Sequence, residues 1–132
     1  MDPIQQLKQR LERHPELKFR ITSNSVVVGS PSVNGFGVSF HASSLAYVVH
    51  FDGWHEHFVS ADDALDCFAF AYSGKCRLAV TYRGRVPVKW VLEHFNGVEW
   101  LTESEVGHFF VPFWRKARVE YRQNPDVLRA AH

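Results

Sequence analysis

A chain of 132 residues with 45% hydrophobic and 22% charged residues has the size and composition of a single globular domain over 1–132, large enough to bury a core without disulfides or a structural metal. A formal net charge of +1 excludes a protein whose whole surface grips nucleic acid or an anionic membrane, and no apolar run reaches the roughly 18–20 residues of a membrane helix. Two cysteines, Cys67 and Cys76, at neither redox nor zinc-ligand spacing, and an N-terminus without a basic-then-apolar leader point to a reducing, cytoplasmic setting.

Asp2-Pro3 opens a helix, because Asp can accept the first free amides and Pro has no amide to leave unpaired. Ile4, Leu7 and Leu11 form its apolar stripe, and Pro15 predicts an end near His14. From Lys18 the period changes to two, with a turn over Thr22–Ser25, strand again at Val26–Val28, a loop over Gly29–Gly35 and strand over Phe36–His41.

Tyr47–Phe51 and Trp54–Phe58 flank Asp52-Gly53, the preferred chemistry of a two-residue hairpin turn, where positive φ is expected at both positions. The register pairs Phe51 with Trp54, His50 with His55, Val49 with Glu56, Val48 with His57 and Tyr47 with Phe58. Directly opposed residues share a face. One face then carries Tyr47, Val49, Phe51, Trp54 and Phe58, with Glu56 as the exception, and is assigned to the core. The other carries Val48, His50, His55 and His57.

Ser60 and Asp63 cap a second helix, with Ala61, Ala64, Leu65, Phe68, Ala71 and Tyr72 at helical spacing and Gly74 at its end. A second strand set follows. Leu78, Val80 and Tyr82 alternate with Arg77, Ala79 and Thr81, and Gly84 turns the chain. Val88–Phe95 and Val98–Thr102 then flank Asn96-Gly97, a second tight hairpin that would oppose His94 to Glu99. Lys116–Arg122 alternates as a strand, and Asn124-Pro125 suits the start of a short terminal helix. The fold class is α+β: two helices packed on a mainly antiparallel, meander-type β-sheet, in the order helix, meander, helix, meander. One sheet with both helices on one face is the simplest packing.

Three patterns bear on function. His50, His55 and His57 share a face and could hold zinc through imidazole nitrogen, although a flat sheet seldom aims three side chains at one point. No hydrolase nucleophile elbow and no phosphate-binding glycine loop accompanies them, which weighs against an enzyme. Arg115, Lys116, Arg118 and Arg122 beside aromatic residues could hold single-stranded nucleic acid, but the even charge balance speaks for an edge strand whose charges discourage aggregation. The second hairpin is apolar on both faces. Trp90, Leu92 and Leu101 lie on one, and Val91, Phe95, Val98 and Trp100 on the other with Glu93. The face not used by the core needs a cover. This pattern predicts a protein-interaction or ligand-binding module, with a partner or a second copy of the chain on Val91, Phe95, Trp100 and Trp114.

Overall fold

The computed structural model of the chain describes residues 2–107 and 114–128. Its fold class is α+β: the described residues form two helices and two antiparallel sheets, the first a meander and the second departing from the expected meander because its last strand returns to pair with its first. Helix α1 (Pro3–Leu11) starts as the sequence dictates. Asp2 Oδ1 accepts the Ile4 amide at 3.0 Å, and Ile4, Leu7 and Leu11 are buried. Regular helix stops at Leu11, short of His14, and looser turns carry the chain on as the Arg13 amide donates to the Arg10 carbonyl and the His14 amide to the Leu11 carbonyl.

The next five strands pair in chain order: β1 (Phe19–Ile21), β2 (Ser25–Val28), β3 (Val38–Ala42), β4 (Tyr47–Phe51) and β5 (Trp54–Phe58). The β4–β5 register is the predicted one at all five pairs. Val26, Val28, Val38, Phe40, Val49, Phe51 and Trp54 point inward and are buried beneath α1 and α2. Only Asp52 takes the left-handed φ of 50° in the β4–β5 turn, so positive φ is not what demands glycine beside it. A Cβ at Gly53 would lie 2.3 Å from the ring of Trp90, so glycine is required there by close approach.

Helix α2 (Ala61–Phe70) is capped by Ser60, whose Oγ accepts the Asp63 amide at 3.3 Å. Its buried side, Ala64, Leu65, Phe68 and Ala69, faces β3, β4 and β5. The chain then enters a second sheet. Its order is β8 (Trp100–Gly107), β7 (Val86–Phe95), β6 (Cys76–Arg83), β9 (Ala117–Arg122). Two sheets therefore replace the single sheet of the simplest packing. Cys76, Leu78, Val80 and Leu92 on the inner face of the second join the same buried cluster as the first, so one core serves both. No helix among the described residues is long and apolar enough to cross a membrane.

Two local expectations change. The second hairpin closes two residues further out, with Phe95 opposite Trp100 and His94 opposite Leu101. Asn96 is the reason: its Oδ1 accepts the amides of Val98 and Glu99 at 2.8 and 2.9 Å, which stabilises a four-residue loop. A shift of two preserves the faces. Asn124 opens no helix among the described residues. Its side chain is buried, accepts the Phe36 amide at 2.9 Å and donates to the Phe36 carbonyl at 3.1 Å. It therefore serves the loop before β3 instead of a helix end. Asn124→Ala strands both groups of Phe36 away from water and should lower the unfolding free energy by about 2–4 kcal/mol, measured by urea denaturation. Asn124→Asp keeps the acceptor but sets a buried carboxylate against the Phe36 carbonyl, so at neutral pH it should lose at least as much.

Candidate functional site

The outer face of the five-stranded sheet gathers histidines. His50 and His55 oppose each other with ring centroids 5.4 Å apart, and His57 follows at 6.0 Å from His55. Strand β3 adds His41, edge-on to His50 at 5.5 Å. Its register places it across from Val48, diagonal to His50. The rings form a connected row, and among the described residues no three His, Cys, Asp or Glu side chains are arranged to hold a metal ion. Zinc at His50, His55 and His57 is therefore not supported by convergence of the donors. A hollow of about 180 Å³ beside the row is lined by Val27, Gly37, Ser39, His50 and Asp52 among others. Burial lowers the His50 pKa first, and the neighbouring His41, His55 and His57 lower it further. Its Nδ1 is buried without a hydrogen-bond partner. Burial also raises the Asp52 carboxyl, against the opposing effects of the Gly37 amide and Arg122.

The outer face of the four-stranded sheet carries the predicted aromatic patch. Phe95 and Trp100 pack at 5.3 Å, and Val91 shares their face further along β7, all three half-buried. The Arg77 guanidinium lies 4.4 Å from the Trp100 ring centroid and 4.0 Å from that of Tyr121, and it is ion-paired with Glu93. Glu93, out of place in the apolar pattern, is thus the counter-charge of a cation held between two rings. Trp114 is exposed, at 72%.

The basic stretch is turned largely on its own protein. Arg118 lies over the Tyr82 ring, pairs with Glu120 and donates to the Gly84 carbonyl. Arg122 donates to Tyr82 Oη at 2.9 Å and to the Val33 carbonyl at 3.2 Å. The Arg115 side chain packs against Gly84, and Lys116 is exposed. The arginines at 118 and 122 hold β9 in place, which leaves less free charge for a phosphate backbone than the sequence offered.

A second concavity was not foreseen. It lies where β5, α2, β7 and β8 meet, has a volume of about 400 Å³, and is lined by Trp54, Phe58, Phe70 and Leu92 together with Glu56, Asp66, Cys67, His94, Glu103 and Ser104. Trp54 and Leu92 are buried and form its floor, while Glu56, Asp66 and Glu103 are exposed at its rim. Trp54 Nε1 donates to Ser104 Oγ at 2.7 Å. His94 Nδ1 sits 3.3 Å from Glu103 Oε1, the partner that replaces the expected Glu99. A cysteine, a histidine and a carboxylate thus share one hollow. Burial, then the charge of Glu56, pushes the Cys67 thiol up to about 12, so it stays protonated at neutral pH.

Compared with known proteins, the chain matches no family model, no curated protein and no solved structure. The functional reading rests on geometry alone.

Sequence reasoning passed over His41 and most of the concavity. The alternation of Val38, Phe40 and Ala42 with Ser39 and His41 was the available signal for His41. Glu56, the one charged residue on an otherwise aromatic strand face, was the signal for the concavity.

The lowered His50 pKa has a definite sign. The fold favours the neutral ring, so as pH falls the unfolded chain takes up the proton first. The contribution is complete above the ordinary histidine value of 6.5 and is lost as pH falls below it through the folded value. Thermal unfolding between pH 7 and 5 should show a declining Tm, and His50→Gln should flatten that decline. A His50 resonance titrating above 6.5 in an NMR series would contradict this account.

Proposed function

We propose that the chain is a binding module, working in the cytoplasm, that takes a small ligand or a partner's side chain into the hollow between its two sheets. One observation carries this: a concavity of about 400 Å³ with the buried Trp54 and Leu92 at its base and exposed polar side chains at its edge. That combination is the usual form of a ligand site. The protonated Cys67 favours binding over chemistry. Trp54 is a built-in reporter, since its indole N–H is fixed on Ser104 at the floor. Titration with 2-phenylethanol, a neutral aromatic probe, should shift the Trp54 indole resonance in two-dimensional NMR. Cys67→Phe, which fills the hollow, should abolish that shift while thermal unfolding confirms that the variant is folded. Shifts scattered elsewhere on the protein, with Trp54 unmoved, would end this reading.

A second reading, a protein partner or a homodimer on the aromatic sheet face, is favoured by the exposure of Val119 and Tyr121, at 50% and 54%, beside Val91, Phe95 and Trp100. Among the described residues both helices pack on the other sheet, and neither packs on this one. Light scattering should then give twice the chain mass, and Val119→Glu should return it to a monomer. A monomer at all concentrations removes the homodimer.

A further inference from the structure

We propose that the hollow selects a hydrophobic organic cation, an ammonium or guanidinium carried on an apolar stem. The inference rests on the binding reading above and adds the chemical class of the ligand. Its basis is the pairing of an aromatic floor with a rim of one sign. The half-buried Phe58 and Phe70 line it above the buried Trp54 and Leu92, and Glu56, Asp66 and Glu103 stand around it. Among the described residues no lysine or arginine lines the hollow. His94, the one basic side chain among those lining residues, lies against Glu103. Aromatic rings attract a cation through their quadrupoles, and the attraction grows as the cation loses water. Carboxylates at the mouth add Coulomb attraction for a cation and repel an anion.

The three carboxylates come from three separate elements, Glu56 from β5, Asp66 from α2 and Glu103 from β8. They are not the acidic first turn of a helix, which the helix dipole alone would explain and which here is Asp62 and Asp63. Two of them also break a local pattern. Glu56 stands opposite the buried Val49, on the strand face otherwise given to Phe51, Trp54 and Phe58. Glu103 falls within the irregularity where the β7–β8 register shifts after Leu92, which puts a carboxylate against His94. The charge at the rim also reaches the interior, since Glu56 raises the thiol of Cys67 behind it. An amine passing this rim meets opposite charge first and an apolar floor next, the order in which an amphipathic cation is built.

The test compares three probes of one shape on the intact protein, followed at the Trp54 indole resonance: 2-phenylethylammonium, 2-phenylethanol and phenylacetate. The ammonium should bind more tightly than the alcohol, and phenylacetate most weakly. Raising the salt should narrow the differences. Glu56→Gln and Glu103→Gln should each weaken the ammonium by up to about fivefold, the range of a partly solvated ion pair, and leave the alcohol unchanged. A fourth arm, a blocked phenylalanyl-lysine amide, separates the two sources of such a cation. Tighter binding than the free amine assigns a partner's lysine side chain, weaker binding a free amine, and either supports the charge preference. Equal affinity for ammonium, alcohol and carboxylate overturns the cation proposal and leaves the hollow as a neutral binding site. Failure of all three to move Trp54 overturns the binding reading itself. The ligand series uses the unaltered chain, so a poorly folded variant cannot mask the result.

Discussion

The seam at Trp54 is the constraint on which the arrangement depends. Its ring packs on Phe51 at 4.8 Å within the first sheet, and its indole N–H reaches Ser104 of the second. An indole buried this deeply must place its N–H on an acceptor, so the ring fixes both a packing position and a direction. The ring of Trp90 closes on Gly53 at the neighbouring turn. The two sheets therefore approach at β5 with backbone against ring on one side and ring against hydroxyl on the other. The hollow is what the two surfaces leave between them once those contacts are satisfied.

Much of the fold could be read from the chain because it is locally encoded. The caps at Asp2 and Ser60 and the apolar spacing of both helices follow from hydrogen bonding within a few residues, and Asp52-Gly53 sets five strand pairs at once. Reading failed where a side chain had an option that spacing does not reveal. Asn96 bonds two amides ahead of it and lengthens the second turn, and Asn124 serves a loop far upstream. The division into two sheets could not be read from alternation, because an inward strand residue looks the same whichever sheet it belongs to.

The candidate sites divide along the same line. The histidine row was legible to the extent that one hairpin generates it, and its fourth member depended on pairing across the longer β3–β4 turn. The hollow draws on four elements, and no local pattern contains their relative placement. What remained visible was misfit, a glutamate at a position that alternation reserves for a hydrophobic residue. Glu56 opens onto the hollow, and Glu93, the other such misfit, answers Arg77 between its two rings. A charged residue in an apolar pattern is here a marker of tertiary neighbours.

The attachment of residues 122–124 to the loop before β3 governs how the protein can be made. Arg122 donates to the Val33 carbonyl, the Gln123 amide to the Asn34 carbonyl at 2.8 Å, and Asn124 closes on Phe36 across 88 positions of sequence. Contacts so distant along the chain carry a large closure entropy and form late. On the ribosome, the strands of the first sheet can pair while translation continues, but the loop leading into β3 stays unsealed until residue 124 has emerged. The nascent chain therefore holds an open flank until β9 and the residues after it emerge, 88 positions behind the loop they close.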